Sequence, residues 1–459
     1  MLELIVDKVN DIIWSNLFIL LALFTGLYFS IRTGFLQIRF IRRMLHLLFN
    51  GKASDKGVSS FQAFAIAISG RVGTGNIAGV ATAIAMGGPG AIFWMWVIAF
   101  VGAATAAVEA SLGQYYKVIR EGQYRGGPAF YIERGLKSRK YALAFAFVTL
   151  ISCTFLLPGV QSNSIAVSVE HAFAVSPITI ISIVVAFMAV IIFGGVKRIG
   201  KVAEVIVPFM AIGYIGMAIV IIFINFKEIP SVFQLIISSA FNANATFSGV
   251  FGMAIAWGVK RGIYSNEAGQ GTAPHAAAAA EVNHPLEQGL VQAFSVYIDT
   301  ILVCTATAFM IIFTNAYNVM GPEGAFIVEY IPGIEEGPAF TQEAINSYFP
   351  NNIGGKFVAI ALVFFTFTTL MAYYYYAETN LSFLSKRNIP NLLLQAFRIV
   401  FLIIVFFGAL HEANFAWKLG DIGVGLMAWL NIVALLLLRK KFMEIYKDYR
   451  RKFKKIKNT

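Results

Sequence analysis

Runs of about 20 apolar residues recur along the whole chain, each long enough to cross the roughly 30 Å hydrocarbon layer of a bilayer as a helix. The chain is 58% hydrophobic and 13% charged, which excludes an ordinary soluble domain. The sequence therefore predicts an all-α polytopic membrane protein. The predicted spans, numbered 1 to 11, are 13–31, 60–86, 89–116, 143–168, 177–195, 202–225, 234–260, 288–315, 354–382, 390–411 and 418–438.

Basic residues fall almost entirely on one side of these spans. The segments after odd-numbered spans hold nearly all Lys and Arg, and the exceptions are Lys8, Lys227, Lys356, Lys418 and Arg71. Cytoplasmic loops carry such an excess, so the pattern predicts a multi-pass plasma-membrane protein with its N-terminus outside and its C-terminus inside. Because the net charge of +12 is spread over several loops and a tail, it does not indicate a nucleic-acid partner.

Two spans are interrupted by residues that disfavour a continuous helix. Residues 70–79, GRVGTGNIAG, place four glycines and Arg71 inside span 2. Residues Ser238–Gly258 place Asn242, Asn244 and several small residues inside span 7. Unwound backbone in a bilayer needs a cavity, an ion or a substrate to bond it. Paired interruptions in two halves are typical of the midplane site of a secondary transporter, although glycines also permit close helix packing.

Spans 2 and 7 are five spans apart, so spans 2–6 and 7–11 can be related by inversion, with span 1 as an extra. Free N–H groups and a half-helix N-terminus suit a carboxylate, whereas free carbonyls suit a cation. This combination predicts transport of a zwitterion with a cation. The corresponding division of the chain is 1–59 (extra span and interfacial helix), 60–225 (repeat 1), 226–439 (repeat 2) and 440–459 (basic cytoplasmic tail).

Three long motifs resemble the alanine or glycine:cation symporter family, also known as the sodium:alanine symporters. They are RVGTGNIAGVATAI, GGPGAIFWMWVIAFVG (Gly87 to Gly102) and GIYSNEAGQGTAPHAAAAA (Gly262 to Ala280), the last departing at Gln270, where the family usually has an apolar residue. The resemblance implies a leucine-transporter-like fold of two inverted five-helix repeats. It also implies secondary active import of alanine or glycine coupled to sodium by alternating access.

The resemblance also implies where the cations bind. One sodium is expected at the hydroxyls of Thr368 and Thr369 on span 9, with carbonyls near Ser69 and Val72. The alternative for the threonines is bonding to their own helix carbonyls. A second sodium is expected at Asn76, Thr246 and Asp299. Asp299 is an ionisable residue within the membrane, and its alternatives are a structural acid or a proton carrier in place of sodium.

The substrate is expected between the two interruptions, its carboxylate on the backbone of Thr74, Gly75 and Asn76. The remaining predicted substrate-binding residues line the two interruptions or face them, and they are Gly79, Gln161, Phe247, Ser248, Gly249, Phe251, Gly252 and Met253. Gating or bracing roles are predicted for Arg71, Glu109 and Trp257. Residues 265–281 are expected to form an inner helix and gate, in which His275 is structural.

No nucleophile–base pair, metal cluster or phosphate-binding loop is recognisable, so an enzyme is not predicted. No cofactor is expected beyond the co-transported sodium. A channel, a receptor without transport and a proton-coupled symporter remain alternatives. The acidic loop 316–353 is a candidate outer lid, and FLQIRFIRRMLHLLF is expected to lie along the inner membrane surface. The tail is expected either to contact anionic lipid or to be solvated.

Overall fold

The computed structural model describes residues 2–49, 53–241, 245–385, 388–410 and 412–457, which are mostly helical. The helices before residue 226 are α1 (Leu2–Ile13), α2 (Asn16–Thr33), α3 (Leu36–Arg39), α4 (Ile41–Phe49), α5 (Ser60–Arg71), α6 (Val80–Gly87), α7 (Gly90–Tyr115), α8 (Pro128–Gly135), α9 (Arg139–Ile151), α10 (Pro158–Phe173), α11 (Pro177–Ile192) and α12 (Gly195–Ile224). The helices after it are α13 (Ile229–Ala240), α14 (Phe251–Asn266), α15 (Ala273–Ala279), α16 (Pro285–Val296), α17 (Thr305–Phe313), α18 (Pro338–Asn346), α19 (Ile353–Leu384), α20 (Asn391–Gly408), α21 (Ala413–Leu437) and α22 (Arg439–Lys457).

Several short elements join these helices. Two antiparallel hairpins pair β1 (Val118–Arg120) with β2 (Gln123–Arg125) and β3 (Asn318–Met320) with β4 (Phe326–Glu329). The π-helical turns are Gly75–Gly79, Ser152–Leu156 and Tyr297–Cys304, and the 3-10 helices are Phe226–Glu228 and Ala245–Val250.

The predicted polytopic all-α fold is confirmed. In the described part of the chain, eight helical segments are long and apolar enough to cross a membrane, and they coincide with predicted spans 1, 3, 4, 6, 8, 9, 10 and 11. Span 5 is the shorter α11. Large apolar side chains such as Phe187, Phe209 and Phe223 are exposed on the outside of the bundle, as contact with lipid tails requires. The two remaining spans, 2 and 7, are broken helices.

Span 2 is broken where the glycine cluster predicts it. A capping box of Ser59 and Gln62 starts α5 at the side predicted to be cytoplasmic, which is termed the inner side below. Helix α5 ends at Arg71 because Val72 takes an extended conformation with φ −79° and ψ 93°. Residues 72 and 73 are not helical, Thr74 has helical dihedrals (φ −55°, ψ −31°), and the π turn then leads into α6. We name residues 72–74 the first break.

The interruption predicted in span 7 lies at the outer end of the bundle rather than at its middle. Helix α13 ends at Ala240, and the 3-10 helix Ala245–Val250 leads into α14. This junction lies beside the outer end of α6, because a Cβ on Gly87 would be 2.9 Å from Cα of Ala254. Asn242 and Asn244, which the sequence argument used, lie outside the described residues.

The actual partner of the first break is residues 267–272, which we name the second break. Helix α14 runs antiparallel to α6, so that Gly75 lies against Ser265. The helix ends at Asn266, and α15 resumes at Ala273 on the inner side, beside α5. Span 7 is therefore α14 with α15, and spans 2–6 and 7–11 each begin with a broken helix, as the predicted inverted repeats require.

Left-handed backbone conformations form the second break. Glu267, Gly269 and Gly271 have φ of 54°, 85° and 88°. Glycine adopts such angles without strain, and Glu267 ends α14 as its left-handed C-cap. A Cβ on Gly271 would lie 2.8 Å from Pro128 and 2.9 Å from Phe145, so neighbouring helices approach this backbone closely. The chain therefore turns out of α14 and into α15 within six buried residues.

Short elements cover both ends of the bundle. At the outer end, α1 packs on α21 through the ion pair between Lys418 and Asp7 (2.8 Å). The hairpin β3–β4 and α18, both within the predicted outer lid, pack over the outer end of α6. At the inner end, α4 lies against α16, and α22 buries Phe442 and Tyr446. The basic tail is thus a helix with one packed face.

Candidate functional site

Side chains satisfy two of the three amides of the first break, and the N–H of Val72 donates to the carbonyl of Ile68 in α5 at 2.7 Å. The N–H of Gly73 donates to Oδ1 of Asn76 at 2.9 Å. The N–H and the hydroxyl of Thr74 both donate to Oε1 of Gln161, at 3.2 and 3.0 Å. The structure therefore brings together Thr74, Gly75, Asn76 and Gln161, which the sequence predicts as substrate-binding residues. Because Oε1 of Gln161 accepts both bonds, its amide nitrogen is left as a donor.

Asn76 also connects the first break to the buried acid of span 8. Its Nδ2 donates to Oδ1 of Asp299 at 2.6 Å. The hydroxyls of Ser265 and Thr300 donate to Oδ2 of Asp299, at 2.9 and 2.6 Å. Asn76 and Asp299 therefore meet as predicted, whereas Thr246 is exposed in the outer 3-10 helix. The sequence argument missed Ser265 and Thr300, although Ser265 lies just before the second break.

Only one of the two adjacent threonines of span 9 reaches the first break. The hydroxyl of Thr369 lies 3.4 Å from the carbonyl oxygen of Val72 and donates to the carbonyl of Phe365 at 2.9 Å. The hydroxyl of Thr368 instead bonds carbonyls of its own helix and contacts the sulfur of Met210 at 3.8 Å. Both hydroxyls share the carbonyl of Phe365 in their own helix, and only Thr369 also reaches across to Val72.

The side chain of Ser69 also bonds within its own helix. Its hydroxyl donates to the carbonyl of Ala65 at 2.7 Å. The predicted cation site at Ser69, Val72, Thr368 and Thr369 is therefore assembled in part, by Val72 and Thr369.

A buried ionic and aromatic cluster closes the outer side of the first break. Gly79 lies against the side chains of Arg261 and Trp417, whose nearest atoms are 3.8 and 3.9 Å from a Cβ at that position. The guanidinium of Arg261 is 4.6 Å from the ring centroid of Trp417 and bonds Asp421 at 2.9 Å. The ring centroid of Trp257, a predicted gate, is 5.1 Å from the same guanidinium. The sequence argument missed Arg261 and Asp421.

Lys260 and Arg261 do not lie in a loop, where the distribution of basic residues predicts them. The sequence placed both in a cytoplasmic loop, but both belong to the membrane-spanning helix α14 and pair with Asp421 of α21. Their partner lies far away in sequence, so no local pattern reveals it.

The inner side of the breaks is closed by the ends of α7 and α15. Gln114 and Lys117 both donate to the carbonyl of Ala280, at 2.9 and 2.8 Å, and so cap the end of α15. Burial lowers the pKa of the Lys117 amine to about 8, against the opposing effect of the Glu281 carboxylate. Residue Val58, just before α5, pairs with Ala280. The inner halves of both broken spans are therefore fastened together.

Arg71 and Glu109, the other predicted bracing residues, lie beside the two breaks. One guanidinium nitrogen of Arg71 donates to the carbonyl of Gln292 at 3.2 Å and to the hydroxyl of Ser295. Glu109 on α7 accepts a bond from Asn431 at 2.8 Å. In the described residues Glu109 forms no ion pair within 4 Å. Arg71 braces span 8 against α5.

The residues predicted on the second side of the substrate site do not face the first break. Phe247 packs against Gly88 at the outer end of α6, and Gly249 lies 4.0 Å from Ile327 of the outer hairpin. Gly252 has no neighbour within 4 Å of a Cβ position. The same outer junction contains Phe251 and Met253, and the side chain of Ser248 lies outside the described part. These residues were misplaced because the interruption was assigned to the wrong end of span 7.

Comparison with known proteins gives a consistent result. The sequence profile described as the sodium:alanine symporter family matches residues 1–459. YrbD of Bacillus subtilis (strain 168) is 56% identical over 98% of this chain and 93% of its own length. The sodium/proton-dependent alanine carrier protein of Bacillus sp. (strain PS3) is 49% identical over 90% of this chain and 93% of its own length. The sodium/alanine symporter AgcS of Methanococcus maripaludis is 39% identical over 97% and 98%.

The fold also matches solved transporters. The crystal structure of MhsT in complex with L-phenylalanine superposes with a TM-score of 0.59, covering 84% of this chain and 90% of MhsT, at 13% identity. A Na⁺-coupled sialic acid symporter gives a TM-score of 0.51 over 94% and 87%. At these identities the likeness concerns the fold alone, which is leucine-transporter-like.

Proposed function

This chain belongs to the sodium:alanine symporter family, and from that premise we propose that it imports a small neutral amino acid, alanine or glycine, together with sodium. The observation that supports this proposal is the meeting of two helix breaks inside the bundle. Their polar backbone is enclosed by helices on every side, as a midplane transport site requires.

The first break is the proposed site of the substrate carboxylate. The N–H groups of Thr74 and Asn76 here donate to Gln161 and to the carbonyl of Gly73, so we propose that they, with the N–H of Gly75, turn to the carboxylate when substrate binds. The amide nitrogen of Gln161 is a further proposed donor. A Cβ on Gly73 would lie 3.0 Å from Oε1 of Gln161, and one on Gly75 would lie 3.2 Å from Tyr264. The space is therefore narrow, which favours glycine and alanine over branched or aromatic amino acids.

Sodium is proposed to bind between the first break and α19. The backbone carbonyl of Val72 and the hydroxyl of Thr369 provide two oxygen ligands between these elements. A hard monovalent cation prefers oxygen ligands. Asn76 and Asp299 remain the proposed second position, and Ser265 and Thr300 orient the Asp299 carboxylate by donating hydrogen bonds to it.

Alternating access follows from the two closures. Outward opening requires Arg261 to leave Trp417 and Asp421, and inward opening requires α15 to leave the end of α7. Membrane lipid surrounds the exposed apolar helices during both movements. The N-terminus is proposed to be outside: a cysteine at Glu335 should react with an impermeant thiol reagent added outside, and a cysteine at Arg451 should not.

The function is tested by uptake of labelled alanine into proteoliposomes holding the purified protein. Accumulation driven by an inward sodium gradient is expected, together with competition by glycine and none by leucine. Flux without saturation or without accumulation would indicate a channel, and binding without flux would indicate a receptor. Any of these outcomes would refute the proposal.

A proton-coupled symporter is the second candidate. Several fully buried carboxylates around the breaks favour it. A relative named as a sodium/proton-dependent carrier also favours it. Full uptake driven by an acid exterior in the absence of sodium would establish it.

A further inference from the structure

Glu267 opens the second break, and its carboxylate is almost without partners. The residue is 1% exposed, the hydroxyl of Thr272 is the one described donor that approaches the carboxylate, and neither oxygen accepts a well-formed hydrogen bond from the described residues. An ionised carboxylate without a partner is among the costliest groups to bury in a membrane protein. Asp299 provides the contrast, because its two oxygens accept bonds from Asn76, Ser265 and Thr300.

The carboxylate of Glu267 lies against the backbone of Gly70, beside the hydroxyl of Tyr376. A Cβ on Gly70 would lie 3.0 and 3.2 Å from the two oxygens of Glu267 and 2.7 Å from the hydroxyl of Tyr376. The carboxylate of Glu267 and the hydroxyl of Tyr376 therefore both lie close to Gly70, which has no side chain of its own. The hydroxyl of Tyr376 is fully buried and also lacks a hydrogen-bond partner in the described part of the chain. Two polar side chains, one from the second break and one from α19, are thus directed at Gly70.

Around Gly70 and Glu267, carboxylates outnumber cationic side chains in the described residues. Arg71 on α5 is the nearby cation, and Glu109 on α7 and Asp299 in the π turn of span 8 are further carboxylates. Two nitrogens of Arg71 and one oxygen of Glu109 also lack partners. The other titratable groups facing this place are ordinarily neutral, and they are Tyr264, Tyr373, His275 and Cys153. Three carboxylates therefore share one guanidinium.

We propose that Glu267 and Tyr376 bind a co-transported cation, either sodium or a proton, at a site separate from the one formed by Val72 and Thr369. This inference rests on the proposed symport function. The cation joins the last turn of α5, the second break and α19, which are three elements that must separate when the inner side opens. Its arrival supplies the missing positive charge, and its departure to the cytoplasm leaves the carboxylate in water.

The test compares Glu267→Gln with wild type in proteoliposomes, using two assays. Alanine exchange, with alanine on both sides, needs no release of the coupling cation, so it should fall much less than accumulation does. Accumulation of alanine against its gradient should fall by about tenfold or more, as expected for the loss of a charge-assisted interaction. If the cation is sodium, half-saturating sodium rises at fixed pH; if it is a proton, acid-driven uptake without sodium is lost.

Tyr376→Phe, with Tyr374→Phe as its matched control, provides the second variant. Tyr374 is the same residue type on the same helix, but its hydroxyl bonds Arg398 at 3.0 Å, away from the breaks. Tyr376→Phe should weaken cation dependence several-fold, and Tyr374→Phe should not. Glu267→Asp, which keeps the charge, should retain coupled uptake in part. This pair decides the question if Glu267→Gln fails to fold.

Unchanged accumulation and cation dependence in both Glu267→Gln and Tyr376→Phe would overturn the inference. Loss of exchange as well as accumulation in a folded Glu267→Gln would also overturn it, since the residue would then bind substrate rather than cation. A wild-type protein that accumulates no amino acid with either gradient would refute the proposed function instead, so the two failures are distinguishable.

Discussion

The two breaks differ in how their polar groups are satisfied. In the first break, Asn76 and Gln161 accept hydrogen bonds from the backbone amides at 2.9 and 3.2 Å. In the second break, left-handed residues turn the chain, and the carboxylate of Glu267 accepts no well-formed hydrogen bond in the described part of the chain. An inverted repeat therefore duplicates the path of the backbone without duplicating its chemistry. Donors converge at the first break, which suits an anionic group, and unpaired acceptors converge at the second, which suits a cation.

Gly271→Ala should give the largest effect, because it tests which interruption is the true partner of the first break. A Cβ there meets Pro128 and Phe145 at 2.8 and 2.9 Å, and φ of 88° is strained for alanine. Together these effects should cost about 2–4 kcal/mol and abolish transport. Uptake and thermal stability of the purified variant measure the loss.

Gly252→Ala is the matched control for that experiment. A Cβ at Gly252 meets nothing within 4 Å, so stability and alanine uptake should remain close to wild type. If Gly252→Ala abolished uptake and Gly271→Ala did not, the interruption at the outer end of α14 would be the functional one, as the sequence alone predicts.

Gln161→Ala should give the next largest effect. Its Oε1 is held by two donors of Thr74, so its amide nitrogen is positioned to donate to a substrate carboxylate. Loss of one hydrogen bond to a charged group costs about 1.5–3 kcal/mol, so half-saturating alanine should rise at least about tenfold. Sodium dependence should change little.

Ser164→Ala is the control for Gln161 on the same helix. The hydroxyl of Ser164 donates to the carbonyl of Val160 at 2.8 Å and so bonds only within α10. Its removal should leave alanine affinity unchanged. An equal loss of affinity in both variants would show that α10 tolerates no substitution here and that Gln161 has no specific role.

The sequence predicted the first break and misplaced the second for a physical reason. Glycines inside an apolar run, such as Gly73 and Gly75, are visible locally. The polar segment SNEAGQG resembles a water-exposed loop, and only its enclosure by distant helices makes it a buried break. In the same way, Arg261 resembles a loop cation until α21 brings Asp421 to it at 2.9 Å. Long-range pairing, which no local pattern encodes, accounts for both errors.

The smallest expected effect separates the two threonines of span 9, which the sequence treats as equivalent. Thr369 is 3.4 Å from the carbonyl of Val72, whereas Thr368 contacts Met210 and its own helix. Thr369→Ala removes one oxygen ligand from the proposed sodium site, so half-saturating sodium should rise several-fold, about 3- to 10-fold for roughly 1 kcal/mol. Thr369→Ser keeps the hydroxyl and should restore most of the affinity.

Thr368→Ala should shift half-saturating sodium by less than about twofold, because its hydroxyl bonds only α19 and the sulfur of Met210. A larger shift in Thr368→Ala than in Thr369→Ala would mean that α19 turns by about one residue, roughly 100°, when sodium binds. No shift in either variant would remove the cation from the first break. Because bound cation and substrate raise each other's affinity by the same factor, Thr369→Ala should weaken alanine binding only when sodium is present. That sodium-dependent loss distinguishes a ligand of the ion from a residue that merely packs beside it. The cation bound at Glu267 in the second break is identified separately, by the Glu267 and Tyr376 variants.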